Sequence, residues 1–466
     1  MLVALFFLSN LKSIAQNCNC TINFDYMVKK IRLNYVGYND KISKSNKVKF
    51  QQFTDSLQKL TYTANASECV LLCNTWLNFF KDQHIGFAIE FKDQHPDSTR
   101  AFFSKEEHVA WSQQDFIKYL NNDKIKKDSI ERIWINESGT YQIAVRKTGI
   151  RDKEFYGFIL KADGAKWVPG QIKWKLLKTG NKYKTIYYRA IDHSLNYPPL
   201  IVEAGTLDFG SFGKWHSSIK KPKENAKITS TDLSPKFRIV DDEIYLIEMP
   251  SFGSLDYISK TDSLIKKNEA ELKSRKHLII DLRNNSGGTV LIFRNLMPYI
   301  YTNPILTEGG IVLATEDNIK DRYSKEYPQL PDSMQLIFKQ NLLKLKAHQG
   351  ELYNLYPIDT IKYDTTLKNP ERVSFLVNRN TASAAELFIL QARQSKKVKV
   401  YGENTAGAID YVEVVTTAMP CSFYSLWYPA VKSTRLPESP LDNIGIEPDI
   451  KIPQDTIDWI DFVKHH

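Results

Sequence analysis

Residues 277–289 read HLIIDLRNNSGGT, and residues 373–391 read VSFLVNRNTASAAELFILQ. Each begins with an unbroken apolar run rich in β-branched and aromatic residues, the pattern of a strand covered on both faces. Each run stops in a polar turn, and after the second turn an Ala-Ser-Ala-Ala-Glu segment opens an apolar helix. Working outward, the same rhythm continues. FRIV (237–240) and EIYLIEM (243–249) lead into an amphipathic helix from Leu255, and a helix is expected after Gly288. GGIVLAT (309–315), a helical 331–350, the helix from Ala384 and KVKVYG (397–402) complete the series. Strands alternating with helices predict an α/β fold with a mostly parallel sheet, whose chemistry sits at the carboxyl ends of its strands.

Upstream the texture differs. Residues 136–235 alternate apolar and polar positions, as in YQIAVRK, FYGFILKA, KTIYYRA and PLIVEAG, between Gly, Pro and Asp turns. This is a β-rich middle module. Its Trp167, Trp174, Tyr187 and Tyr188 are expected in the core and in strand pairs. Residues 17–135 form an N-terminal helical region. In SECVLLCNTWLNFFKDQH (67–84), Val70, Cys73, Leu77 and Phe80 recur at helical spacing, and residues 104–134 look helical again. His84 stands between that helix and a period-two stretch at 87–91, where a side chain can face a cleft.

The chain has 466 residues, with 42% hydrophobic and 25% charged residues, which excludes disordered and multi-pass membrane classes. Its net charge of +10 comes from scattered Lys and Arg, so the excess reads as solvated surface and no nucleic-acid partner is expected. MLVALFFLSNL (1–11), followed by Ser13, Ile14 and Ala15, reads as a signal peptide over 1–16 and predicts export to the periplasm or beyond, with no integral membrane span once it is removed. Five cysteines suit an oxidising compartment. Cys18 and Cys20 are expected to bridge to Cys69 and Cys73 in a pairing that spacing does not assign, leaving Cys421 a buried thiol; a four-cysteine zinc site is the weaker alternative.

Three segments could carry chemistry. Gly287 and Gly288 follow a strand and let backbone N–H groups approach a ligand closely. Ser383 would sit at a helix N-terminus, where unpaired N–H groups and the dipole favour negative charge; by itself the segment fits a helix cap, with Glu386 at capping-box spacing. His84 lies in KDQHIGF (81–87). His348, His465 and His466 lack metal-ligand spacing, so no metal or other cofactor is implied. Asp241 and Asp242 read as a strand-end turn, and Ser251 as cleft lining.

In combination, strand-Gly-Gly, strand-turn-Ser-helix, YGENTAGA (401–408) and IGIEPDI (444–450) resemble the C-terminal processing peptidase and tricorn-core serine peptidase family. The resemblance covers residues 236–455, and the His84 region more loosely. It implies a Clp-protease/crotonase-like catalytic core over 236–466, with Ser383 as nucleophile. The dyad lysine of one branch is missing, because Ala408 follows Thr405-Ala406-Gly407. The tricorn-like branch takes its base from a D-x-H motif, here Asp82-Gln83-His84, and its acid from a residue before the G-[IV]-x-P-D element, here Asp442. This chain has Asp where glutamate is common and Gln83 where that branch has a serine; Glu438 is a fallback acid. The oxyanion amides implied are those of Gly288 and Ala384, with Gly287 an equal candidate. The resemblance therefore implies an exported serine peptidase acting on polypeptides; the alternative is a non-catalytic peptide or apolar-ligand binder on the same fold. No carboxylate-binding loop of a PDZ domain is recognisable in 140–235.

Overall fold

The computed structural model describes residues 18–91, 94–217 and 232–466. The expected signal peptide lies outside the described residues, and among those described no helix is long and apolar enough to cross a membrane.

The two segments that announced the α/β fold lie side by side. A six-stranded sheet runs in the order Lys236–Ile239, Ile244–Glu248, His277–Asp281, Arg372–Val377, Val398–Gly402, Ile450–Lys451. Its first pair is antiparallel and every other pair parallel. Period-two alternation distributes the apolar runs over two cores. Tyr245, Ile247, Leu278, Ile280, Val373 and Phe375 face one side, packed under Ala385, Phe388 and Ile389 of the helix Ala384–Ala392. Ile244, Leu246, Ile279 and Leu376 face the other, with Tyr401 and Val463. Burial on both faces is the reason for the near-continuous hydrophobic runs.

The sequence reading needs correction at several elements. The long amphipathic helix is two, Asp256–Lys267 and Glu269–Ser274, meeting at Asn268. The helix after Gly288 is replaced by two 3₁₀ turns, Val290–Ile292 and Arg294–Leu296, before the short helix Met297–Ile300. The β-branched Val290 and Ile292 and the missing N–H of Pro298 disfavour a longer α-helix there. GGIVLAT does not join the parallel sheet. Its strand Gly310–Leu313 belongs to an antiparallel five-stranded sheet with Gly86–Ile89, Tyr424–Ser433, Leu352–Tyr356 and Tyr411–Ala418. Periodicity reveals a strand but not its partner, and here the partner Tyr424–Ser433 lies far along the chain.

The middle of the chain is a nine-stranded antiparallel sheet that includes Gln142–Lys147, Glu154–Lys161, Ile172–Thr179 and Lys182–Tyr188. Trp167, Trp174 and Tyr187 are buried in its core as expected. Of residues 104–134, the helix Gln113–Leu120 is the main helical piece, and the sheet already begins at Ile133–Asn136. Ile133 and Ile135 are β-branched and flank Trp134, which suits a strand.

The N-terminal helices Cys20–Asn34, Lys47–Leu60 and Ala66–Leu77 pack Phe24, Phe50, Trp76 and Phe80 against Tyr411, Val415, Leu426 and Tyr428 of the 411–433 hairpin. The disulfides depart from expectation. Cys20 bridges to Cys69, but Cys18 bridges to Cys421, and Cys73 is the buried free thiol. Cys73 points with its helix into the aromatic core, whereas the turn carrying Cys421 passes the chain at Cys18; with four sulfurs in bridges, the zinc alternative falls away. Burial pushes the Cys73 thiol well above its ordinary range.

Candidate active site

Ser383 begins the helix Ala384–Ala392 with φ 56° and ψ −121°, a conformation that costs a non-glycine residue energy and turns its side chain out of the helical path. The hydroxyl does not simply cap the helix: Oγ stands 3.0 Å from His84 Nε2, across 299 residues of sequence. What holds the strained turn is Glu386. Its buried carboxylate accepts the Ser383 N–H at 2.9 Å, the Thr405 hydroxyl at 2.5 Å, the Gly407 N–H at 2.8 Å and the Ala408 N–H at 2.9 Å. One carboxylate thereby fixes both the serine turn and the 405–408 loop. Ala408, where the other branch would carry lysine, is buried.

His84 reaches the serine because its loop is tied on three sides. Asp82 Oδ1 accepts the His84 N–H at 2.8 Å, and Oδ2 accepts the Tyr35 hydroxyl at 2.7 Å. Gln83 Nε2 donates to the carbonyls of Ala406 and Gly407 at 2.9 and 3.2 Å. Asn443 Nδ2 donates to the Lys81 carbonyl at 2.7 Å. Behind the loop, Gly86–Ile89 pairs with Tyr424–Ser433, and Asn74 joins the preceding helix to both the N–H and the carbonyl of Phe87 at 3.0 and 2.7 Å.

Asp442 Oδ1 accepts the Ile409 and Asp410 N–H groups at 3.0 and 2.8 Å. Its Oδ2 and the His84 Nδ1 are both buried without a hydrogen-bond partner. Burial lowers the His84 pKa, opposed first by the Asp442 charge and then by the nearby Tyr411 main chain. The imidazole is thus kept neutral and able to accept a proton at neutral pH. Burial raises Asp442 to about 6; the N–H groups of Asp410 and Ile409 resist this, and the charges of Asp82 and Asp410 add to it. Burial likewise raises Asp82 to about 6, against its bonds from Tyr35 and His84. Glu438, the fallback acid, lies exposed on the surface.

The glycines contribute in different ways. Gly287 has φ +89° and lies so close to the serine turn that a Cβ would come within 2.7 Å of Ser383 Cβ. Its N–H is already engaged by Asn285 Oδ1 at 2.9 Å, so it is not an equal candidate for binding an oxyanion. The N–H groups of Gly288 and Ala384 donate to no described residue. At Gly288 a Cβ would meet the Phe252 carbonyl at 1.9 Å, so only glycine fits there.

Of the residues expected from the sequence, the structure brings Ser383 and His84 into contact, with the Asp442 charge acting on His84; the supporting residues were not expected. Asp82 was visible as the first residue of D-x-H, and Glu386 by its spacing from Ser383. Nothing in the sequence marks Tyr35, Asn285 or Asp410, whose partners come from distant segments. Asp410 is buried and accepts the Leu441 and Asp442 N–H groups, each at 2.9 Å, with Arg435 Nη1 at 3.1 Å, and so shapes the loop that presents Asp442.

The chain is similar to known proteins in its core and in its fold. Residues 243–452 match the model of "Peptidase family S41". No curated protein sequence matches the chain. Among solved structures, a mutant of CPAF superposes with a TM-score of 0.50 at 13% identity, covering 94% of this chain and 93% of that one. A putative peptidase from Parabacteroides merdae gives 0.44 at 15% identity, covering 96% and 92%. The photosystem II D1 C-terminal processing protease gives 0.38 at 12% identity, covering 94% of both chains. The core at 243–452 is thus similar to peptidase family S41.

Proposed function

We propose that the protein is an exported serine peptidase that hydrolyses peptide bonds in polypeptides through Ser383, His84 and Asp442. The observation that carries the reading is the 3.0 Å approach of His84 Nε2 to Ser383 Oγ, made by segments 299 residues apart. Ser383 Oγ attacks the scissile carbonyl carbon while its proton passes to His84 Nε2. The oxyanion is held by the Gly288 and Ala384 N–H groups, each such donor contributing on the order of 10²-fold or more. Collapse of the tetrahedral adduct breaks the C–N bond, His84 returns the proton to the leaving amine, and water hydrolyses the acyl-enzyme by the reverse roles. Asp442 supplies the negative charge that stabilises the imidazolium. In this division the helical region at 17–135 brings the base, the module at 136–235 stands beside the core, and 236–466 brings nucleophile and acid. The two disulfides support export, because such bridges persist in oxidising compartments.

Labelling with a serine-directed fluorophosphonate tests the reading. The native chain should label and hydrolyse unstructured polypeptide. Ser383→Ala should abolish labelling, and His84→Ala should slow it by about 10²- to 10⁴-fold. Equal labelling of the native chain and Ser383→Ala would remove Ser383 from the role. A native chain that neither labels nor hydrolyses would favour a peptide receptor on the same fold.

A further inference from the structure

A cavity of about 480 Å³ opens beside Gly288, within the roughly 300–1,000 Å³ range of ligand pockets. One wall is Phe252, Leu255 and Leu291, on the segments that flank Gly288; the facing wall is Tyr327, Met334 and Phe338. The latter two lie on the helix Asp332–Ala347, a 16-residue helix in which Leu345 is the buried residue and Ile337, which also lines the cavity, remains 52% exposed. That helix therefore leaves an apolar face over the cavity.

Of the charges at the cavity, Arg322 and Glu413 are already paired with each other, and Lys325 stands exposed on the lining. Arg322 Nε donates to Glu413 Oε2 at 2.9 Å, its Nη2 donates to the same oxygen, and its Nη1 donates to the Tyr327 hydroxyl at 2.6 Å. To pair with Arg322 an incoming carboxylate would have to displace Glu413, and to pair with Glu413 an incoming cation would have to displace Arg322. An apolar side chain displaces neither and removes apolar wall from water, the favourable term in such a site.

We propose that this cavity receives the side chain of the substrate residue whose carbonyl lies at the Gly288 N–H, and that it selects bulky apolar residues such as phenylalanine, leucine and methionine. The placement of that carbonyl rests on the peptidase reading above. A carbonyl oxygen at Gly288 is two bonds from the Cα that carries the side chain, so the side chain must enter the space Gly288 borders. The volume suits a large side chain rather than alanine.

Binding separates this proposal from catalysis. Fluorescein-labelled heptapeptides of Gly and Ser, with Phe, Ala or Glu at the central position, are titrated against the Ser383→Ala protein by fluorescence anisotropy. The Phe peptide should bind about 10-fold or more tightly than the Ala peptide, and more tightly than the Glu peptide. Met334→Arg and Ile337→Asp, each on the exposed helix, should each remove most of the Phe advantage while leaving the melting temperature unchanged. Equal affinities for Phe and Ala, or a Phe advantage that survives both substitutions, would overturn the cavity assignment. If Phe-selective binding is retained but the native chain does not hydrolyse the Phe peptide, the catalytic reading alone fails.

Discussion

At the scale of single residues, the serine turn depends on a carboxylate that touches no substrate. Glu386 accepts four hydrogen bonds, and an amide cannot accept from all of those donors because its NH₂ would face N–H groups. Glu386→Gln should therefore cost about 1–3 kcal/mol of stability and lower the labelling rate of Ser383; a thermal melt and a labelling time course check both. The acids around His84 set the pH response. The proposed mechanism requires neutral His84 and charged Asp442. Burial keeps His84 below its ordinary range and raises Asp442 and Asp82 to about 6, so all three groups titrate on the acid side of neutrality. Hydrolysis should thus rise through an acid limb centred near pH 6 and level off above it. Asp442→Asn removes the charge that opposes the lowering of His84, so the limb should shift to lower pH while the plateau falls by about 10²- to 10⁴-fold. A pH–kcat/KM profile of both proteins tests this, and a limb left unmoved in Asp442→Asn would contradict it.

At the scale of elements, the proposed base, His84, is positioned by a four-residue strand. Gly86–Ile89 carries no catalytic group, yet its pairing with Tyr424–Ser433 sets where His84, two residues before Gly86, can point. Gly86 lies against Trp427, and a Cβ there would come within 2.3 Å of the indole. Gly86→Val should push the strand aside and slow hydrolysis by about 10²-fold, since small misplacements of catalytic groups are that costly. Because the parallel sheet carrying Ser383 does not contact this glycine, far-ultraviolet circular dichroism should stay essentially unchanged. The 411–433 hairpin receives both this strand and the N-terminal aromatic core; its own pairing is local, but its partners Gly86–Ile89 and Gly310–Leu313 lie far along the chain and leave no local signature.

At the scale of the whole molecule, the site exists because the ends of the described chain are brought together. Cys18–Cys421 joins residues 403 apart, and Cys20–Cys69 anchors the first helix to the helix that precedes the histidine loop. Reduction should lower the thermal midpoint by the equivalent of about 2–5 kcal/mol per bridge lost. It should also diminish hydrolysis below that midpoint, since both bridges brace the helices behind His84. Melting and activity curves with and without dithiothreitol measure each effect, and Cys73→Ser should reproduce neither.

By itself the sequence determined the α/β core, the β-rich middle, the core positions of Trp167, Trp174 and Tyr187, and the candidate identities of Ser383, His84 and Asp442. Those features are local: a doubly buried strand must be apolar throughout, a half-buried one must alternate, and a short motif carries its own spacing. Tertiary structure alone decided which strands pair across the chain, that GGIVLAT leaves the parallel sheet, which cysteines meet, and that Gly287 spends its N–H on Asn285. It also decided that Glu386, Asp82 and Tyr35 hold the site. Each of these depends on residues meeting from distant segments, and periodicity specifies which face a residue occupies but not which partner waits on the other side.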